Sequence, residues 1–254
     1  MPGRAARALG LAFVLVTCSL DSTGVADHLP PVPPGALRVL FIGNSLTYVN
    51  DLPRTVADMA VTAGVAPCWC ITVAYPDYAL LDHLANGDAE SVLKRAKFDF
   101  VVMQQGSSAL EEGRAWLLSG SQQFAPLIAQ AGARPALYSV WPTSDRQFDF
   151  AGVLTSYRLA AESVNGLLLP AGQAWLEAWS VDNTLPLYAA DGLHPSPMGT
   201  YLAALVVFQR LYNRSPVGVQ DVARVSGTPM PWPTTVVRAL QDAAARANAT
   251  EGRP

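Results

Sequence analysis

Arg38-Val39-Leu40-Phe41-Ile42-Gly43-Asn44-Ser45-Leu46-Thr47 is the stretch that decides how the rest of the chain is read. Its apolar run of β-branched and aromatic residues ends in Gly-Asn-Ser, and a helical pattern resumes after Pro53. The segment therefore reads as strand, sharp turn, helix. Ser45 then stands at the carboxyl end of a strand, the edge of an open α/β sheet where diverging loops leave a crevice for ligands. Gly, Asn and Ser also favour turns for purely local reasons, so the motif alone is open to that plainer reading. A second stretch far along the chain, Asp191-Gly192-Leu193-His194-Pro195-Ser196, gives Ser45 chemical company.

Outward from Ser45 the pattern alternates. An apolar-periodic segment from Leu52 to Ala63 closes at Gly64, and a strand follows from Trp69 to Ala74. A helix over Tyr78 to Ala96, interrupted near Asn86-Gly87, leads to a strand from Phe98 to Met103. A helix from Ser121 to Ala131 precedes a strand from Pro135 to Val140. Ala151 to Val164 reads as a helix, Gly166 to Leu169 as a short buried strand, and Pro197 to Tyr212 as a long helix. Repeated β-then-α order with apolar strands predicts α/β architecture: a parallel sheet of about five strands in a three-layer α/β/α sandwich.

The 254 residues are half apolar and only 15% charged, so the chain can bury a large core. The net charge is −3 and the basic residues are scattered, which recommends no nucleic-acid partner. Residues 1–26 read as an export signal. Arg4 and Arg7 form its basic start, Leu9 to Val16 its apolar run and Gly24-Val25-Ala26 its cleavage site. Leu15-Val16-Thr17-Cys18 also resembles a lipobox, which would make Cys18 a lipid anchor and the protein's one tie to a membrane. Either way the expected location is secreted or extracytoplasmic. Residues 27–36 form a Pro-rich linker, 37–226 the folded domain, and 227–254 a Pro-rich segment with an Ala-rich terminal helix that either packs on the domain or serves as a handle. Cys68 and Cys70 lie two apart on one face of a strand, an arrangement read as two small buried hydrophobes beside Trp69 rather than a mutual bridge or a metal site.

A serine hydroxyl is a weak nucleophile at neutral pH and needs a base, itself oriented by a third group. The chain has three histidines: His28 in the linker, His83 in an amphipathic helix beside Asp82, and His194 in a loop. The helix position makes His83 a surface or cap residue. Asp191 precedes His194 by three, a spacing that in a tight turn brings the carboxylate to Nδ1 and leaves Nε2 facing outward. An ordinary Asp-Gly turn with a loop histidine is the plainer reading of the same residues.

Taken together, Gly43-Asn44-Ser45 after the first strand and Asp191-x-x-His194 before the last core helix resemble the SGNH or GDSL-type hydrolases. The order of elements from about Leu37 to Tyr212 resembles theirs too. That resemblance implies a flavodoxin-like sheet, Ser45 as nucleophile, Asp191 and His194 as its partners, and no cofactor or metal. The second glycine of Gly-x-Ser-x-Gly is absent, with Thr47 in its place.

The family's oxyanion donors come from the serine's own N–H, a glycine after the second strand and an asparagine after the third. Here the second strand runs into Tyr75-Pro76-Asp77-Tyr78, and Pro76 has no N–H to give. The third runs into Gln104-Gln105-Gly106-Ser107-Ser108. Gln104 and Gln105, then Ser108, are the oxyanion candidates, since an amide or hydroxyl can donate; two solvated glutamines ending a strand are the alternative. Asn44, Tyr78 and Trp141 are candidates for the substrate pocket. The expected activity is hydrolysis of a small acyl ester, above all an O-acetyl group on carbohydrate. Acyl transfer to a sugar hydroxyl and a catalytically silent glycan-binding module are the rivals. The oligomeric state is not legible.

Overall fold

The computed structural model of the chain describes residues 29–251; the export signal and the lipobox-like run ending at Cys18 lie outside the described residues. In chain order the first half comprises β1 (Leu37–Gly43), the single turn α1 (Ser45–Tyr48), α2 (Leu52–Thr62), β2 (Cys68–Ala74), α3 (Leu80–Asn86), α4 (Asp88–Arg95) and β3 (Phe100–Met103). The second half comprises α5 (Glu111–Gln130), β4 (Arg134–Ser139), a 3-10 segment (Ser144–Asp149), α6 (Phe150–Ser163), β5 (Leu167–Pro170), α7 (Ala171–Trp179) and α8 (Pro197–Tyr212). A two-stranded ribbon, β6 (Arg224–Val225) with β7 (Thr228–Pro229), and α9 (Thr234–Glu251) complete it.

The five main strands form one parallel sheet in the order β2-β1-β3-β4-β5. Val39, Leu40, Phe41 and Ile42 of β1 are wholly buried, as a strand with helices on both faces must be. At the edge, β2 instead alternates: Trp69, Ile71 and Val73 are buried while Cys68, Cys70, Thr72 and Ala74 are half-buried. One helical layer is built from α2, α7, α8 and α9, which pack on one another; α3, α4, α5 and α6 form the other. Residues Met198 to Phe208 of α8 are all buried, because α8 lies beneath α2, α7 and α9.

Of the two expectations for the segment after residue 227, the helix takes the first and packs on the domain; several other expectations are corrected. α9 buries Val237, Leu240, Ala243, Ala244 and Ala247 against α7 and α8, and Arg246 pairs with Glu177 at 3.0 Å. Part of the Pro-rich linker is docked too, since the Pro30 carbonyl accepts the Trp69 indole N–H at 3.1 Å. Cys68 and Cys70 are joined by a disulfide. Sharing a strand face puts both sulfurs on one side, and their Cα atoms, 5.3 Å apart, fall within the span of a disulfide. α5 begins at Glu111, ten residues before the expected Ser121. Gly113 and Gly120 mask its periodicity, yet Leu117, Ser121, Phe124 and Ile128 line one buried face. α7 adds to the elements expected from the sequence. Pro170 and Gly172 obscure its start, while Ala171, Ala174, Trp175 and Ala178 recur at helical spacing.

Candidate active site

The turn after β1 is held from three sides. Asn44 caps α1, its Oδ1 accepting the Leu46 N–H at 3.1 Å, which is what an N-cap asparagine does for an otherwise unpaired donor. From just beyond β3, Gln104 reaches across: its Oε1 accepts the Asn44 N–H at 2.9 Å and the Thr47 hydroxyl at 2.7 Å. Its Nε2 donates to Asn44 Oδ1 at 2.8 Å and to the Gln105 carbonyl at 2.6 Å. From the β2 side, the Tyr75 N–H and His83 Nε2 both meet the Gly43 carbonyl, at 3.2 and 2.8 Å. A Cβ at residue 43 would lie 2.5 Å from both Gln104 Oε1 and Thr47 Oγ1, so only glycine fits there. What this clamp leaves unengaged is Ser45. Among the described residues neither its hydroxyl nor its backbone N–H has a hydrogen-bond partner, and the N–H, as the first of a helix, has no intrahelical acceptor.

The second turn is built on backbone groups. Asp191 Oδ2 lies 2.6 Å from His194 Nδ1, and Oδ1 accepts the N–H groups of Leu193 and His194, each at 2.9 Å. The bond to His194, then those two N–H groups, hold the carboxyl down at about 2. A neutral imidazole paired this way carries its proton on Nδ1 and turns the Nε2 lone pair outward. The turn itself is tied down on each side. The Trp141 indole N–H donates to the Leu193 carbonyl at 3.1 Å, Ser144 N–H to that of Gly192 at 2.8 Å, and Ala189 N–H to that of His194 at 2.8 Å. Gly192 has φ +70°, in the left-handed region, and a Cβ there would run into Ser144 Oγ. Asn50, just beyond α1, donates to the Pro195 carbonyl at 2.8 Å and to Thr200 Oγ1 at 3.0 Å. Through Asn50 the segment that carries Ser45 is fastened to the segment that carries His194, both at the carboxyl edge of the sheet.

The remaining candidates are placed differently from the sequence expectation. Gln104 is wholly buried and both of its amide hydrogens are engaged. Gln105 donates to Ser108 Oγ at 2.9 Å and to the Gly113 carbonyl at 3.3 Å, and its Oε1 accepts the Leu80 N–H at 3.2 Å. Ser108 donates to the Gly106 carbonyl at 3.1 Å. None of these three turns a free donor toward Ser45, because each satisfies a loop or helix end instead. Asn44 is part of the clamp rather than a pocket wall, and its Nδ2 donates to the Tyr78 carbonyl at 3.1 Å. Tyr78 is half-buried, its ring 5.1 Å from the His83 ring. Trp141 is 1% exposed and stacks on Trp175 at 3.7 Å, so it supports the His194 loop from beneath.

His83 is not a surface residue: it is wholly buried, and burial pushes its pKa below the usual histidine range. A carbonyl can only accept, so the proton sits on Nε2 and the buried Nδ1 has no partner. The sequence signal for that position was Tyr75 and Tyr78, whose rings close over it. Asn50, two residues ahead of the helical segment expected from Leu52, carries no chemical signature in the sequence. Among the described residues no group of three or more His, Cys, Asp or Glu side chains converges to hold a metal ion.

No family model matches the chain, and no curated protein does. Solved structures do. One, described as an SGNH hydrolase from Slackia heliotrinireducens, is 27% identical over 68% of this chain and 98% of its own, with a TM-score of 0.58. A DUF4886 family protein from Bacteroides uniformis is 17% identical, covering 84% and 95% of the two chains, with a TM-score of 0.69. A catalytic mutant of an acetylxylan esterase from Geobacillus stearothermophilus is 19% identical, covering 72% and 97%, with a TM-score of 0.56. The parallel order β2-β1-β3-β4-β5 is common to many α/β proteins, but joined to these likenesses it identifies the fold of the chain as that of the SGNH/GDSL-type hydrolases.

Proposed function

We propose that the chain is an exported serine esterase that removes small acyl groups, chiefly O-acetyl, from carbohydrate. The observation that carries this reading is an unengaged Ser45 hydroxyl on a segment that Asn50 ties to the loop of His194, whose Nδ1 is fixed by Asp191 at 2.6 Å. Ser45 Oγ attacks the ester carbonyl and His194 Nε2 takes its proton. The imidazolium, stabilised by Asp191, returns the proton to the departing alcohol, and water then cleaves the acyl-enzyme by the same route. The Ser45 N–H stabilises the oxyanion, in keeping with its lack of an acceptor at the start of α1.

The preference for acetate rests on the loop after β2. Tyr75, Pro76 and Tyr78 bring bulk where the family's second block is small, and the loop is pinned by the Tyr75 hydroxyl on Asp88 at 2.5 Å. A crevice that cannot admit further methylenes forfeits about 0.8 kcal/mol for each and adds strain. The likeness to an acetylxylan esterase agrees with this substrate class. Acyl transfer would differ only in the second step, with a sugar hydroxyl in place of water. One observation favours a further reading: with the Gln104, Gln105 and Ser108 donors all engaged, the fold would also suit a glycan-binding module without an oxyanion hole.

Activity on p-nitrophenyl esters is expected to peak at acetate and to fall by butyrate, with release of acetate from acetylated xylan. Faster turnover of octanoate would contradict the narrow crevice. Binding of acetylated xylan with no ester turned over would favour the binding module. For export, the mature chain is expected to begin near Asp27 or, if lipidated, at Cys18; N-terminal sequencing that returned Met1 would reject both.

A further inference from the structure

We propose that Gln104 is a positioning residue that builds the nucleophile turn, rather than a donor to the substrate. The inference deepens the esterase reading and rests on it. The orientation of the Gln104 amide follows from its neighbours. The Asn44 N–H can only donate and the Gln105 carbonyl can only accept, so the atom facing the first is Oε1 and the atom facing the second is Nε2. In that orientation Oε1 takes two donors, Asn44 N–H and Thr47 O–H, and Nε2 gives both hydrogens, to Asn44 Oδ1 and the Gln105 carbonyl. The side chain is saturated: no hydrogen is left for an oxyanion.

Its bonds instead fix the residue before Ser45 and the residue two after it. Asn44 is held through both its backbone N–H and its side chain, and Thr47 through its hydroxyl. Gly43 is where it is because Gln104 Oε1 and Thr47 Oγ1 occupy the volume a Cβ would need. With both flanks bound by Gln104, the Ser45 hydroxyl and N–H keep their aim without a bond of their own. A shift of about 1 Å at such a point costs on the order of 100-fold in rate.

The test compares Gln104→Met, Gln104→Glu and Thr47→Val on p-nitrophenyl acetate, together with the rate at which a fluorophosphonate labels Ser45. Gln104→Met is expected to lower kcat by about 10- to 100-fold with KM within about twofold, and to slow labelling in parallel. Thr47→Val removes one bond to Oε1 while keeping shape, and is expected to lower kcat by about 3- to 10-fold. Gln104→Glu sets a carboxylate against Asn44 Oδ1 and the Gln105 carbonyl, a repulsion that protonation relieves. Its rate relative to wild type is therefore expected to rise as pH falls. Thr47→Val at the wild-type rate beside a Gln104→Met loss of 100-fold or more would make Gln104 a direct donor and overturn the proposal, as would wild-type labelling and turnover in Gln104→Met. If Gln104→Met does not fold, Thr47→Val and the pH trend of Gln104→Glu decide. Should the wild type itself neither label nor turn over an ester, the esterase reading fails rather than the role of Gln104 within it.

Discussion

The Ser45 turn and the Asp191–His194 turn hold their working groups by opposite means. Around Ser45 the restraint is buried and made largely by side chains: Gln104 from the end of β3, His83 from α3, and the Asn44 cap, with Gln104 and His83 wholly buried. Around His194 the restraint is exposed and made largely by main chain: two N–H groups on Asp191 and the carbonyls of Gly192, Leu193 and His194. On the proposed esterase reading Ser45 has to stay in one place while bonds form and break on it, and a saturated buried network gives that, because each of its groups would be unsatisfied if it moved. On the same reading His194 has to keep one tautomer and an outward-facing Nε2, and a carboxylate backed by two backbone N–H groups is enough for that.

The largest expected effect treats the two turns alike. Ser45→Ala and His194→Ala are each expected to cost about 10⁴- to 10⁶-fold in kcat, and the double variant little more, since members of such a unit are not additive. Steady-state rates on p-nitrophenyl acetate measure it; a multiplicative double variant would mean that the two residues do not act together.

Glycine substitutions then set the two turns apart. Gly43→Ala drives a methyl into a buried, saturated network. It is expected to cost about 1 to 3 kcal/mol of stability and on the order of 100-fold in kcat. Gly192→Ala meets only the rotatable Ser144 hydroxyl and the strain of φ +70°, about 1 to 2 kcal/mol, with a smaller loss of rate. Denaturant unfolding and kcat on both variants test the contrast, and equal losses of rate would erase it.

Trp141→Phe sharpens the comparison from the exposed side. It keeps a ring on Trp175 but removes the donor to the Leu193 carbonyl, so about 1 kcal/mol of stability and a few-fold in kcat are expected. Fluorophosphonate labelling of this variant should be slowed no more than its turnover.

The smallest effect belongs to pH. Burial holds His83 neutral, with the carboxylates of Asp82 and Asp88 and the Gly43 carbonyl opposing that shift, and the rings of Tyr75 and Tyr78 against it. Its folded pKa lies below the unfolded value of about 6.5, so the unfolded chain takes up the proton first. Stability from this site is present above about pH 6.5 and is lost as pH falls through the window down to the folded pKa. His83→Gln does not titrate and keeps a donor for the Gly43 carbonyl, so its thermal midpoint should fall less than that of the wild type between pH 7.5 and 5.5. Asp191, held near 2, stays ionised throughout that window. Equal slopes in the two proteins would mean that His83 is not held neutral.

The sheet was legible in the sequence because apolar strand runs alternate with 3.6-periodic segments, and the α8 boundaries coincide with expectation since Ser196 and Pro197 start the helix with a side-chain cap and a proline. The turn that carries Ser45 and the contact between Asp191 and His194 were legible because a strand-end Gly-Asn-Ser and a three-residue spacing are each written in a short stretch. The support for Ser45 was not. Gln104 touches Asn44 from 60 residues away, and His83 touches Gly43 from 40, so nothing local distinguishes either from a solvated strand end or a helix surface. Asn50 reaches Pro195 across 145 residues. The Cys68–Cys70 bond was illegible for a different reason: side chains two apart on a strand share a face without pointing at each other, yet their 5.3 Å Cα separation lies within disulfide range.

The most direct measurement is covalent labelling of the wild-type protein by a fluorophosphonate, read by intact mass and by peptide mapping. One label per chain is expected, carried by Ser45, abolished in Ser45→Ala and strongly slowed in His194→Ala. A label on Ser107 or Ser108 with Ser45 untouched, or a fully inert wild-type protein, would contradict the account.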